Sequence, residues 1–534
     1  MFTLHAHSNH SLLEGAMTVD ELVAFAVESG SGYVALTDTN SMSGLIPFAK
    51  LAREKMIKPI LGAYIDEPEN RKKYVLFLAK NRAGYAEMCR IITSRKLKEK
   101  FSLSKIISEV TGNLFMLTSS HEVLRETELT DTVKKNLYVE LIVSESKKKE
   151  TRKNYEFAKA KGLNIVASHP AYFSKKENFE IHKVLTAIRT RKTIENLSSE
   201  DLADEEFRLF SPPEFASVWR ALPEAVRNAE YIAERCNVDM EFERYKFPVF
   251  PLPSGETAFS YLWKIAFDGL SKKYRPLTEK AVERLQNELE VINDLGFSDY
   301  FLVVWDIVRE AHKRNILTIG RGSAANSLAA YCLNLTQVDP IKHDLYFERF
   351  LNRGRTSPPD VDIDFSWKER DEIVRYVFEK YGYERTAMIS TTVTFRARSA
   401  FRETAKAYGV SDAEISSFSK FIPWTSAKNL TSLAEKFPEA RSLNFKEEPW
   451  KTITETAQKI AGYPRHRSIH PGGIVITEKP ITNYVALEYA ENKGLGLIVT
   501  QPDMYAIEDY KLIKIDLLSQ RSLGVLRDTI NAVG

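Results

Sequence analysis

Three acids alternate with apolar residues in Pro358-Pro-Asp-Val-Asp-Ile-Asp-Phe365. In extended backbone Asp360, Asp362 and Asp364 share one face, while Val361, Ile363 and Phe365 share the other. Acids about 6.5–7 Å apart along one strand repel unless a cation neutralises them. The spacing suits two divalent ions about 3.5–4 Å apart, the arrangement that clamps attacking and leaving oxygens in phosphoryl transfer. Oxygen-only donors favour Mg²⁺ or Mn²⁺ over zinc. Alone, the run more often describes an exposed acidic strand edge. A further acid stands in Leu512-Ile-Lys514-Ile-Asp516-Leu517, where alternation sends Lys514 and Asp516 to one face and Ile513, Ile515 and Leu517 to the core. By itself that is also a structural ion pair. Gly320-Arg-Gly-Ser-Ala-Ala-Asn-Ser327 follows apolar residues 316–319 and opens a helical stretch, 327–335. Its glycines permit a tight turn, Ser323 can cap the helix, and free N–H groups there attract phosphate. Taken together, the three features describe a nucleotidyl-transfer site far better than any one does.

The elements that must position these residues fall into blocks. Up to about residue 172, short β-rich runs alternate with helical patterns, as in a parallel sheet or closed α/β barrel. The first run is 2–7, and the first helix opens on a capping-box spacing, Thr18 to Glu21. His5 and His7 end the first run, Asp38 ends the second and His169 a late one, where α/β sites are built. Pro-rich residues 247–253 read as a linker. Residues 256–316 and 395–470 are helical, 472–477 and 512–518 are strand-like, and a short helical tail closes the chain. Ser366 and Glu369 have capping-box spacing, predicting a helix over 367–380 behind the acids. Arg398, Arg402 and Lys406 recur one helical turn apart, a stripe able to track a phosphate backbone. Pro464–Gly473, with Arg465 and Arg467, reads as a cationic turn. The basic runs 94–100 and 146–153 read as solvated faces.

The 534 residues are 43% hydrophobic and 28% charged, which excludes disorder and fibrous classes and suggests about three to four domains. No apolar run is long enough for a membrane span. The opening residues lack the pattern of a secretory leader. Three scattered cysteines exclude a disulfide scaffold and a zinc ribbon, so a cytoplasmic location is expected. The net charge of +3 neither requires nor forbids a nucleic-acid partner, which needs a local basic stripe.

Residues 296–308, 320–331, 344–352, 359–382 and 500–518 closely resemble the bacterial replicative polymerase family, the alpha subunit of DNA polymerase III. The resemblance implies a multidomain α/β and α+β chain. Its parts are a PHP-like (polymerase and histidinol phosphatase) α/β barrel over 1–238, a polymerase-beta-like palm over 239–394 and 471–521, an inserted helical thumb over 395–470, and the start of fingers or a tail over 522–534. It assigns Asp362, Asp364 and Asp516 as catalytic Mg²⁺ ligands, Asp360 less so. Gly322 and Ser323 correspond to the triphosphate-binding turn and Lys514 to a residue near the incoming nucleotide. It places 464–473 near the thumb–palm junction. Asn326 departs from the family's glycine. Implied partners are primer-template DNA and dNTPs, with sliding-clamp and replisome contacts in regions that follow the third acid in the family. Eighteen residues follow Asp516 here, so templated synthesis is expected to need the fingers, whether as further chain or as a second polypeptide.

LHAHSNHSLLEG resembles the opening of the PHP domain, with His5, His7 and Glu14 matching its first metal ligands. Thr39, Tyr64, Tyr74, Pro170 and Tyr172 stand where the family has further ligands, so a complete metal cluster is not expected and the barrel's role should be structural. Two alternatives compete with the polymerase reading. One is a metal phosphoesterase or 3′–5′ exonuclease centred on His5 and His7; the other is a non-catalytic DNA-binding module.

Overall fold

The computed structural model describes residues 3–97, 100–354, 358–359, 361–490 and 497–533. Asp360 lies outside them. Six strands of the N-terminal region lie side by side in chain order: β1 (Tyr33–Leu36), β2 (Lys58–Asp66), β3 (Tyr74–Ala79), β4 (Leu114–Thr118), β5 (Leu137–Ile142) and β6 (Asn164–Ser168). Neighbours are parallel except β3, which runs against both β2 and β4. Strands β3, β4 and β5 are buried along their whole length, as continuous apolar runs require when both sheet faces are covered. The Thr18–Glu21 capping box forms and starts the helix Val19–Glu28.

Of the expected first strand, 2–7, the described residues 3–7 do not form a regular strand. Residues 5–7 instead bridge the sheet's two outer strands near their carboxyl ends. His7 N donates to Ala171 O (2.8 Å) beyond β6, and Thr37 N donates to Ala6 O (2.8 Å) beyond β1. This segment closes the curved sheet and delivers both histidines to its rim.

The second sheet has the order β11-β12-β9-β10-β13-β8-β7. Its strands are β7 (Thr318–Arg321), β8 (Asp362–Ser366), β9 (Thr386–Thr394), β10 (Pro464–Ile476), β11 (Leu487–Tyr489), β12 (Ile498–Asp503) and β13 (Lys514–Gln520). One face packs on the helices Ala258–Lys273, Glu279–Asp294 and Ser298–Lys313. Val361, Ile363, Phe365, Ile513, Ile515 and Leu517 join Leu262, Leu285 and Phe301 in that core. The alternation seen in the sequence is therefore what turns the acids to the other face.

Between β9 and β10 lies a helical insert with its own core, including Phe401, Ile415 and Ile453, and with Trp450 packed on Phe418 at 4.0 Å. It also packs on Ile181 and Leu185 of the N-terminal region. The insert ends earlier than expected. Residues 464–473 are strand, not a turn, and the boundary at 470 falls inside β10. Pro464 is tolerated because it opens the strand. Pro471 is tolerated because the register shifts between Ile469 and Ile474. The capping box at Ser366 does not form either. Ser366 is drawn into β8 opposite Gln520, and the helix starts later, at Arg370.

Candidate active site

Strand β13 runs parallel to β8 with Asp516 opposite Asp362 and Leu518 opposite Asp364. On the other side β7 is antiparallel, setting Ile319 against Asp364 and Arg321 against Asp362. Asp362, Asp364 and Asp516 thus lie on adjacent strands and one face, as the alternation requires. Asp364 is 5% exposed and Asp516 7%, yet Oδ1 of each has no hydrogen-bond partner. A buried carboxylate oxygen without a donor is costly, and a hard cation is the partner that would satisfy it.

Protein cations stand nearby instead. Arg321 Nε lies 3.5 Å from Asp364 Oδ1 and 3.7 Å from Asp362 Oδ2, ion-pair distances without a hydrogen bond. Lys514 Nζ lies 3.0 Å from Asp516 Oδ2 and 3.5 Å from Glu508. His470 Nδ1 is 3.8 Å from Asp516 Oδ1 but accepts the Gly473 N–H at 2.7 Å, so no proton is left there for the acid. Burial lowers the His470 pKa, which further favours the neutral ring. Gly473, opposite Asp516, presents no side chain on that flank. Among the described residues no three His, Cys, Asp or Glu side chains have gathered into a metal-binding group.

The turn after β7 is held from behind. Gly322 takes a left-handed φ of +72°, and a Cβ on Gly320 would meet Leu335 O at 1.8 Å. Gly322–Asn326 forms a short 3-10 turn. Ser327, rather than Ser323, caps the following helix by accepting from Ala330 N. Buried Glu288 accepts from Ser327 Oγ (2.8 Å) and Ala329 N (2.9 Å) and pairs with Arg284, which donates to Asn326 O (2.9 Å). Because Arg321 is opposite Asp362, Gly322 and Ser323 follow directly beside the acids.

The basic residues divide. Arg398 is exposed and donates to Ile422 O (2.7 Å). Arg402 donates to Ser419 Oγ (2.9 Å), and Lys406 pairs with Asp412 (3.2 Å). The stripe therefore leans on residues 411–422, with donors partly engaged. Arg465 is half-buried against Glu403 (2.6 Å). Arg467 departs from expectation. It is 9% exposed and makes a two-pronged pair with Glu488, with Ser41 and Ser43 of the N-terminal region beside it. A guanidinium already bound in this way between domains is not offered to DNA. Gln501 extends the seam, donating to Asn40 O (3.0 Å) and to Glu488 (3.1 Å).

His5 and Glu14 line a cleft of about 930 Å³ with Tyr64, Arg71 and Tyr172, and His7 is fully buried next to them. His5 Nδ1 bonds Glu140 (2.7 Å), His5 Nε2 meets His7 Nε2 (2.9 Å), and His7 Nδ1 meets Thr39 Oγ1 (3.2 Å). One proton per link satisfies the series if His5 donates to Glu140, His7 to His5 and Thr39 to His7. Tyr74 and Ser168 also donate to Glu140, both at 2.6 Å. Burial, then the charge of His5, pushes the His7 pKa well down. Burial alone would raise Glu14, but Arg71, 2.7 Å away, brings its pKa below the usual carboxylate value. Tyr172 stacks on His7 at 4.1 Å. An arginine and tyrosines thus occupy the partnerships that metal ligands would make.

Arg321, His470 and the Glu288–Arg284 brace were not singled out from sequence. The strand period carried through 318–321 puts Arg321 on the acids' face, a signal that the glycines of the turn obscured. Among the described residues no helix is long and apolar enough to cross a membrane.

Comparison with known proteins agrees with this layout. Residues 260–519 match the family described as "Bacterial DNA polymerase III alpha NTPase domain", and residues 3–127 match the PHP domain. The chain is 33% identical to an error-prone DNA polymerase of Symbiobacterium thermophilum and 33% identical to the DNA polymerase III subunit alpha of Bacillus subtilis. Each comparison covers 99% of this chain, but 52% and 49% of those relatives. The chain spans about half the length of the relatives it matches.

Proposed function

Because this chain belongs to the bacterial DNA polymerase III alpha family, we propose that its second sheet is the palm of a DNA-directed DNA polymerase, extending a primer with dNTPs. The observation that carries the reading is the register of β13 on β8, with Asp516 opposite Asp362 and Asp364 on the same face. In the reaction the primer 3′-oxygen bonds to the α-phosphorus of a dNTP. The bond to the pyrophosphate leaving group breaks, and the 3′-hydroxyl proton passes to solvent. Divalent ions, Mg²⁺ by donor chemistry, would supply Lewis-acid stabilisation to the attacking and leaving oxygens when bound. Asp362, Asp364 and Asp516 would hold them, which fits the orphaned oxygens of Asp364 and Asp516. Gly322 and Ser323 would receive the triphosphate, and Lys514 lies close enough to orient it or Asp516. Arg398, Arg402 and Lys406 would follow the duplex backbone, and Arg465 could join them by leaving Glu403. The N-terminal region serves as a scaffold, with Arg467 and Glu488 joining it to the palm.

The test is Mg²⁺-dependent dNTP incorporation on primed DNA by the complete polymerase. Asp362→Asn or Asp364→Asn should cost several kcal/mol of transition-state stabilisation, about a thousandfold in rate. Incorporation retained by a folded double variant would overturn the assignment.

A further inference from the structure

The acids are not bare, because Arg321 reaches from β7 to both acids of β8, 3.5 Å from Asp364 and 3.7 Å from Asp362. Three observations set it apart from an ordinary structural ion pair. It forms no hydrogen bond to Asp364 Oδ1, although that oxygen is buried and has no other donor. Its side chain is about half exposed, 48%, and therefore free to leave. It also directly precedes the turn that begins at Gly322, so one residue adjoins both the acids and the turn. A planar guanidinium binds phosphate as well as carboxylate, often through two parallel bonds.

We infer that Arg321 is a resident counter-ion of the catalytic acids that exchanges its carboxylate partners for the incoming triphosphate when divalent metal is taken up. The inference rests on the polymerase reading of the palm and adds a residue and an order of events to it. In the metal-free site Arg321 screens the repulsion between Asp362 and Asp364 and competes with metal for their oxygens. Once those oxygens are engaged, a guanidinium beside the same cations is repelled, and the nucleotide phosphates are the nearest anions able to take it. Metal and nucleotide binding become mutually favourable through one side chain, as linkage demands. Lys514 does not share the role, because it is mostly buried and is held by Glu508 as well as Asp516.

The experiment is Mn²⁺ binding to the full chain, followed by electron paramagnetic resonance, with dATP binding measured separately in saturating Mn²⁺. Removing a unit charge at these distances should tighten Mn²⁺ binding of Arg321→Gln about tenfold. The same variant should bind dATP about tenfold more weakly. Arg321→Lys keeps the charge and should return Mn²⁺ affinity close to wild type, which guards against a folding defect in the glutamine variant. The Arg321→Gln effect on Mn²⁺ should vanish in an Asp364→Asn background. An arginine that merely braces the site would give weaker Mn²⁺ binding when replaced, and unchanged or weaker binding in Arg321→Gln overturns the exchange. If Asp362→Asn, Asp364→Asn and Asp516→Asn all leave Mn²⁺ affinity unaltered, the palm reading itself falls and takes this inference with it.

Discussion

The palm acids and the N-terminal histidine cleft are built from similar material, buried carboxylates and imidazoles on or beside strands, yet they have opposite accounts of hydrogen bonding. In the cleft, Glu140 is fully buried and accepts from His5, Tyr74 and Ser168, and His7 is bonded at both ring nitrogens. In the palm, one oxygen each of Asp364 and Asp516 is buried without a donor, and Arg321 stands at ion-pair distance rather than bonding distance. A polar cluster that satisfies itself has been absorbed into the fold. One that leaves acceptors open in a low-dielectric place retains a cost that only a ligand relieves. The contrast sets a cluster absorbed into the fold apart from one that leaves acceptors open to a ligand.

Breaking the self-satisfied cluster should produce the largest stability change. Glu140→Ala removes the acceptor of three donors and leaves buried His5, Tyr74 and Ser168 without it. A loss of about 3–5 kcal/mol is expected in denaturant unfolding. Below the unfolding transition, primer extension by the complete polymerase should be unchanged. An unfolding midpoint that does not move would mean the network contributes nothing, and the contrast with the palm would dissolve.

Much of this was legible in sequence because strand alternation is a hard constraint. Val361, Ile363, Ile513 and Ile515 had to go to the core, and the acids beside them had to face away. The substitutions of the cleft were also visible as residue types, since tyrosine and threonine cannot replace imidazole and carboxylate ligands. What sequence hid was the identity of partners distant along the chain. Arg467 looked like Arg465, a base on a Pro- and Gly-rich stretch. The pairing of β10 with β9, and the approach of Glu488 from another strand, decide that one arginine is an interdomain pin and the other sits at the root of the insert. Ser366 had the spacing of a cap but was claimed by a strand neighbour 154 positions away. Asp360, the first acid of the run, lies outside the described residues.

The pin between the two regions gives an intermediate effect that pH can read. Burial would raise Glu488, but Arg467 outweighs it and holds the carboxyl down to about 2. A carboxylate depressed in the folded state contributes stability that is complete above its unfolded pKa, near 4.5. That stability is lost as pH falls toward 2. Over that window the pair should give up about 3 kcal/mol. Arg467→Met should flatten this part of the acid-unfolding curve. It should leave the salt dependence of primer-template binding unchanged, since a buried pair releases no phosphate counter-ions. A salt slope lowered by about one unit would restore Arg467 to the DNA-contacting set and remove it from the seam.

The smallest predicted change has the most telling sign. Asp364→Asn keeps the shape of the side chain and removes a charge that is buried with one oxygen unbonded. What it gives up is an ion pair with a half-exposed arginine, worth about 0–1 kcal/mol. In metal-free buffer the variant should therefore be more stable than wild type, by about 1 kcal/mol, whereas Glu140→Ala is less stable. Saturating Mn²⁺ should reverse the order. Metal binding to the native acids adds about 2.7 kcal/mol to wild type at a hundredfold excess over the dissociation constant, and the asparagine forfeits most of it. Thermal unfolding with and without Mn²⁺ measures both signs in one protein. If Asp364→Asn is the less stable chain in chelator, the acid already has a full protein partner. The palm would then be as self-contained as the cleft.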